Sequence, residues 1–83
     1  MYSRMMRLAF GDSVEISHMN LKGFVIGEAP GYDCQVVIIA NSKCLGLLVD
    51  ACSCHLVAAG FHAYATELRE KYLVSLRDSD DIE

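Results

Sequence analysis

The chain has 83 residues, of which 53% are hydrophobic, and eleven acidic side chains against seven basic ones give it a formal net charge of −4. A chain of this length makes one domain, with a core near the lower limit for independent folding. Because affinity for nucleic acid depends mostly on cations that neutralise phosphates, the composition argues against a nucleic-acid-binding protein.

The first part of the chain predicts short strands separated by turns. Residues 1–10 are amphipathic and favour a strand over a single helical turn. Gly11-Asp12 marks a turn, and Ser13 to Ser17 then alternates between apolar and polar side chains with the period of a strand. Leu21 to Gly27 is predicted as the next strand. The segment from Gly27 to Gly31 contains the only proline and is predicted as a turn.

The segment from Asp33 to Asp50 is apolar on both faces and predicts a hairpin at the centre of the fold. With Asn41-Ser42 as the turn, Ala40 pairs with Lys43 and the side chains alternate outward from that pair. One face then carries Cys34, Val36, Ile38, Leu45, Leu47 and Val49, and the other carries Val37, Ile39, Cys44 and Leu48. One set can build a core, and the other must be covered by a helix, a second copy or a partner.

Residues 51–60 allow two interpretations. They can begin a helix that is capped by Asp50. They can also form a short turn followed by a last strand over His55–Ala58. The second interpretation is favoured because Gly60 would be unfavourable inside a helix.

From Phe61 onward the apolar residues recur every three and four positions, which predicts an amphipathic helix of about four turns over residues 61–77. Its apolar stripe is expected to pack on the open face of the sheet. The stripe consists of Phe61, Tyr64, Ala65, Leu68, Tyr72 and Leu76, of which Phe61, Leu68, Tyr72 and Leu76 are expected to be buried. Residues 78–83 are predicted to be an acidic tail, so that a single domain spans residues 1–77.

The strand pattern resembles that of the SH3-like small barrels, and locally that of the KOW type among them. The resemblance covers residues 11–58, where Gly11-Asp12-x-Val14-x-Ile16 and Gly23-x-Val25-x-Gly27 precede a hairpin, a short turn and a final strand. It implies an α+β fold, either a small antiparallel barrel or a curled sheet of about five strands, with one C-terminal helix. KOW-like domains contact RNA through basic loops, but the corresponding loops of this chain hold only Lys22 and Lys43.

The cysteines are candidate metal ligands. Cys52, Cys54 and His55 form a C-x-C-H motif, and Cys34 and Cys44 lie upstream. Thiolates and imidazoles bind zinc, but the spacing lacks the paired cysteines of common zinc sites. Free cysteines in apolar strands behave as small hydrophobic residues. We therefore expect no metal and no other cofactor.

The sequence does not place a nucleophile, a base and an orienting group together, so we expect a protein that is not an enzyme. No run of residues approaches membrane-spanning length. No secretory signal is recognisable, because the N-terminal apolar stretch is short and interrupted by Arg7. We therefore expect a cytoplasmic protein with reduced thiols and no membrane contact.

These features favour a protein-interaction module, such as a small adaptor or an inhibitor of a larger complex. The partner is expected to be another protein or a second copy of the chain, because so small a domain cannot bury this hydrophobic fraction. The residues predicted to bind it are Tyr32, Val37, Ile39 and Leu48. The alternative is a nucleic-acid-binding barrel that uses Arg4, Arg7, Lys22 and Lys43.

Overall fold

The computed structural model describes residues 7–31 and 33–81, with the side chains of residues 79–81 left out of the description. One antiparallel sheet of five strands is followed by one C-terminal helix, which confirms the predicted α+β fold with a curled sheet. The strands are β1 (Ser13–Ile16), β2 (Leu21–Ala29), β3 (Val36–Ala40), β4 (Leu45–Asp50) and β5 (His55–Ala58), and the helix is α1 (His62–Asp81). Two single 3₁₀ turns occupy Ser17–Met19 and Ala51–Ser53.

The strand order is β4-β3-β2-β1-β5, so β4 and β5 are the edges of the described sheet. The sheet is therefore curled but not closed into a barrel. The resemblance to SH3-like barrels stays a prediction, because an open sheet of five antiparallel strands is compatible with it but does not establish it.

The observed secondary structure agrees with the predicted one in residues 51–60 and differs from it at both ends of the chain. The preferred interpretation of residues 51–60 is confirmed, since a 3₁₀ turn is followed by a strand over His55–Ala58. The predicted strand over residues 1–10 falls partly outside the described residues, and residues 7–10 are not in a strand. The helix continues to Asp81, so the predicted tail is wrong at its start. Neither glycine nor proline interrupts the chain between His62 and Asp81.

The register of the β3–β4 hairpin differs from the predicted one, which corrects the assignment of faces. Ile39 pairs with Leu47, and Ile38 pairs with Leu48. The two-residue turn would instead have paired Ile39 with Cys44, three residues earlier. An odd shift moves every side chain of one strand to the other face. Leu48 therefore shares a face with Ile38, whereas Leu47 shares a face with Ile39.

Two features of the turn explain this register. The Asn41 side-chain oxygen accepts hydrogen bonds from the backbone N–H groups of Lys43 and Cys44, at 2.8 and 2.7 Å, which widens the turn. Gly46 is then an additional residue, because Ala40 pairs with Leu45 while Ile39 pairs with Leu47. Gly46 has φ +88°, and an added Cβ would overlap the ring of Tyr72. Glycine therefore permits both the bulge and the close approach of the helix.

Apolar side chains form a separate core on each face of the sheet. The inner core joins β1, β2 and β3 to the N-terminal segment and the second 3₁₀ turn, and its buried members are Leu8, Val14, Ile16, Val25, Val37, Ile39 and Ala51. The helix-side core lies between the sheet and α1, and its buried members are Ile26, Ala40, Ala65 and Leu68. The sheet thus has no face that is free of cover along β3.

The predicted packing of the helix is confirmed at its centre and wrong at its ends. Leu68 is buried in the helix-side core, and Tyr72 packs against it while half-buried. Phe61 contacts the ring of Phe24, with ring centroids 5.3 Å apart, but it remains exposed. Leu76 is also exposed. Half of the predicted stripe is therefore available to solvent.

The two faces of the hairpin give a matched pair of substitutions. Ile39 is 1% exposed, whereas Leu48 is 56% exposed. Ile39→Lys should abolish the folded state, because the inner core offers no partner for a buried ammonium group. Leu48→Lys should leave the circular dichroism spectrum and the cooperative urea transition intact. Cooperative folding of the Ile39→Lys variant would show that the inner core is wrongly assigned.

Gly46 and Gly60 give a second matched pair, because both have positive φ but only Gly46 lies against another side chain. Gly60→Ala should cost only the backbone strain, about 1 kcal/mol. Gly46→Ala should destabilise further, because the new methyl group must displace the ring of Tyr72. Urea unfolding measures both values. The additional loss at Gly46 should shrink in a Tyr72→Ala background, and equal losses at the two glycines would contradict the contact.

Candidate functional site

A groove of about 800 Å³ lies between the β4 edge of the sheet and α1. We call it the helix–β4 groove; it is lined by Leu45, Glu67, Glu70, Lys71, Val74, Ser75 and Asp78. Leu45 reaches it because its partner Ala40 lies in the helix-side core, and paired residues share a face of the sheet. Leu45 and Val74 are both exposed, so the apolar part of the groove is open to solvent.

The groove combines this apolar surface with an excess of negative charge. Glu67, Glu70 and Asp78 contribute three carboxylates, and Lys71 contributes one ammonium group. In the described part of the chain the only ion pair joins Arg7 to Glu28, so the charges of the groove are not paired within the structure. An apolar surface with unpaired carboxylates suits a ligand that carries apolar and basic groups together.

A smaller crevice of about 380 Å³ lies between α1 and β2–β3 and is lined by Tyr72. Its apolar lining includes Ile26, Ile38 and Leu73, and Glu28 and Arg69 contribute to its polar part. Apolar side chains therefore contribute to the lining of both depressions.

The structure does not bring the predicted partner-binding residues together. Val37 and Ile39 are 0% and 1% exposed and lie in the inner core, so the prediction that they form an exposed face is wrong. The physical reason is that the inner core, which includes residues of β1 and β2, covers this face of β3, whereas the shifted register moves Leu48 to the other face. Leu48 is exposed, on the helix-facing side of β4 with Leu45. Tyr32 lies outside the described residues.

Sequence reasoning missed Leu45 and Val74 as surface residues. Val74 was detectable as an apolar residue outside the predicted stripe of the helix, flanked by charged residues one turn away. Leu45 was not, because its face depends on the bulge at Gly46.

The residues of the nucleic-acid alternative do not form a basic patch. Arg7 pairs with Glu28 at 2.6 Å, and Arg4 lies outside the described residues. Lys22 and Lys43 are near each other, because the Asn41 amide donates to the Lys22 carbonyl oxygen at 2.6 Å. Lys22 also pairs across the sheet with Glu15, whose carboxylate offsets part of its charge. Two lysine side chains with a neighbouring carboxylate provide little positive charge for binding phosphates.

Three of the four cysteines lie near one another at the far end of the β3–β4 hairpin. All four are free thiols. Cys34 precedes β3, and Cys52 and Cys54 flank the end of the second 3₁₀ turn, which follows β4. Cys44 lies at the opposite end of the hairpin, in the turn that precedes β4. No group of three or more His, Cys, Asp or Glu side chains within residues 7–31 and 33–81 is arranged to hold a metal ion.

The environment of these thiols raises their pKa values. The pKa of Cys52 is raised chiefly by hydrogen bonding with the Cys34 thiol, and desolvation adds to it. Desolvation raises the pKa of Cys54, and the negative charge of Asp50 adds to the effect. The Cys54 thiol also contacts the Asp50 carbonyl oxygen at 3.6 Å. Both thiols are therefore protonated at neutral pH, whereas an activated nucleophile has a lowered pKa.

The chain matches no protein-family model, no curated protein and no solved structure. Within the described residues, no helix is long and apolar enough to cross a membrane.

The raised pKa of Cys52 predicts its alkylation kinetics. Although Cys52 is exposed, it should react slowly with iodoacetamide at neutral pH and faster as the pH rises through its pKa, because only the thiolate reacts. Cys34→Ala removes the largest cause of the shift and should accelerate the reaction at neutral pH. Peptide mass spectrometry gives the rate at each cysteine. The Cys44→Ala control should not change the Cys52 rate, and an unchanged rate in Cys34→Ala would contradict this interpretation.

Proposed function

We propose that this chain is a non-catalytic protein-interaction module that binds an apolar protein segment with basic flanking residues in the helix–β4 groove. The observation that carries the proposal is the open apolar surface of Leu45 and Val74 among three carboxylates that form no ion pair with the described residues. A role as an adaptor or as an inhibitor of a larger complex fits a module of this size.

The exposed apolar surface supports binding in preference to a purely structural role. Burying one exposed Leu or Val side chain contributes about 1.5–3 kcal/mol to association before the costs of binding. Leu73 and Leu76 are also exposed on the same helix, outside the groove. Exposed apolar surface of this extent on a small domain is typical of an interaction site.

The charge distribution supports the proposed chemistry of the partner. The groove has a net negative charge, because it is lined by three carboxylates, of Glu67, Glu70 and Asp78, and by one ammonium group, of Lys71. Basic side chains beside an apolar segment would therefore find complementary charges at its rim. A phosphate backbone would meet repulsion at the same place. No described feature favours the nucleic-acid alternative over this proposal.

The state of the thiols supports a non-catalytic role. Cys52 and Cys54 have raised pKa values, which lowers their nucleophilicity at neutral pH. A raised pKa does not activate a thiol as a nucleophile, so the properties of Cys52 and Cys54 fit a binding protein better than an enzyme.

The proposal is tested with a fluorescent amphipathic peptide of leucine and lysine. Val74→Lys should weaken its binding by about tenfold or more, because it removes an apolar contact and adds a repulsive charge. Val57→Lys is the matched control: Val57 is an exposed valine on the edge strand β5, and the change in net charge is identical. Circular dichroism verifies that both variants fold, and fluorescence anisotropy measures affinity.

A peptide of leucine and glutamate tests the charge preference. It should bind more weakly than the leucine–lysine peptide, and the difference should shrink as salt is added. Equal affinities for the two peptides, or a greater loss in Val57→Lys than in Val74→Lys, would show that the groove is not the binding surface. Light scattering of the free protein distinguishes a second copy of the chain as the partner, since Val74→Lys should then dissociate the oligomer.

A further inference from the structure

Cys34 and Cys52 lie on either side of a backbone hydrogen bond at the end of the β3–β4 ladder. Val36 pairs with Asp50 where the two strands end. One residue further out, the Ala51 N–H donates to the Gln35 carbonyl oxygen at 2.7 Å. Cys34 precedes Gln35 in a bend, and Cys52 follows Ala51 in the 3₁₀ turn Ala51–Ser53.

We propose that Cys34 and Cys52 form a reversible intrachain disulfide, which makes this end of the hairpin a thiol–disulfide exchange site for low-molecular-weight disulfides such as oxidised glutathione.

The backbone contact between these two segments favours the bond. The hydrogen bond between Ala51 and Gln35 holds the segments that carry Cys52 and Cys34 side by side, one residue before each cysteine or after it. Directly opposed residues of neighbouring antiparallel segments have Cα atoms about 4.5–5.5 Å apart. Disulfides span Cα separations of roughly 4.4–6.8 Å, so segments held this close are within reach of one another.

Two further observations agree with this geometry. The Cys34 thiol is also the chief cause of the raised pKa of Cys52, which agrees with the two side chains being neighbours. Cys52 is exposed and Cys34 is half-buried, so a small disulfide can reach the pair from solvent.

The exchange proceeds in two balanced steps. One cysteine of the pair, as its thiolate, attacks a sulfur atom of oxidised glutathione; a mixed disulfide forms and one glutathione leaves as a thiolate. The second cysteine thiolate then attacks the protein sulfur of the mixed disulfide, and the second glutathione leaves. The two protons lost by the cysteines end on the two glutathione thiols. The protein is oxidised by two electrons and glutathione is reduced by two.

The other cysteines serve as internal controls. Cys54 is two residues beyond Cys52, and its thiol contacts the Asp50 carbonyl oxygen. Cys44 lies at the other end of the hairpin, before β4. Neither is adjacent in sequence to the hydrogen-bonded residues Ala51 and Gln35.

The experiment equilibrates the full chain with mixtures of oxidised and reduced glutathione, quenches it with an alkylating agent and maps the peptides by mass spectrometry. The wild type should lose two hydrogen atoms and yield a Cys34–Cys52 linked peptide, and excess reduced glutathione should reverse the change. Cys44→Ser and Cys54→Ser should retain the linkage. Cys34→Ser and Cys52→Ser should lose it and accumulate the mixed disulfide.

Thermal unfolding gives a second readout. The oxidised wild type should unfold at a higher Tm than the reduced protein, because the bond closes the loop between residues 34 and 52 in the unfolded chain. The proposal is overturned if the wild type gives only a mixed disulfide, only bonds between chains, or a bond that joins Cys34 to Cys54. Since none of these outcomes involves the helix–β4 groove, the result is independent of the peptide-binding test.

Discussion

The rest of the structure depends on the burial of β3 from both sides. Val37 and Ile39 pack into the inner core, whereas Ile38 and Ala40 lie on the opposite face towards α1. A strand that is apolar on both faces is stable only when both are covered, because the exposed apolar area would otherwise remain in water. The curl of the sheet covers one face, and the helix covers the other.

The shape of the candidate site follows from this arrangement. A single helix covers the centre of the face through Ala65, Leu68 and Tyr72, but it does not cover the whole face. Leu45 and Leu48 on the edge strand stay exposed, as do Val74 and Leu76 on the helix. The groove is the part of the helix–sheet contact where covering is incomplete. Its acidic residues belong to the helix face that would be solvated in any case.

The thiol pair also follows from the hairpin. Because Gly46 adds a bulge near the turn, the register beyond it places Asp50 opposite Val36 and brings the following turn beside the segment that precedes β3. With Asn41-Ser42 as a two-residue turn, Cys34 would have lain opposite Val49 and away from Cys52. One glycine thus influences both the face that Leu48 occupies and the segment that lies beside Cys34.

The sequence by itself determined the elements whose signals are local. Alternation predicted the strands, Gly60 indicated that residues 51–60 end in a strand, and the spacing of Ala65, Leu68 and Tyr72 predicted the helix and its packing centre. Local propensity also explains why the helix is longer than predicted. The acidic residues after Arg77 were predicted to form a tail, but neither Gly nor Pro interrupts them, and the helix continues to Asp81.

Only the tertiary structure decided the register of the hairpin, and with it the face that Leu48 occupies and the contact of Gln35 with Ala51 beside Cys34 and Cys52. The register depends on side-chain hydrogen bonds of Asn41 and on the packing of Tyr72 against Gly46, which lie 26 residues apart in the chain. Alternation specifies which residues share a face within one strand, but it does not specify how two strands align. Exposed apolar surface was therefore predicted from the sequence, but part of it was placed on Val37 and Ile39 of β3, which are buried.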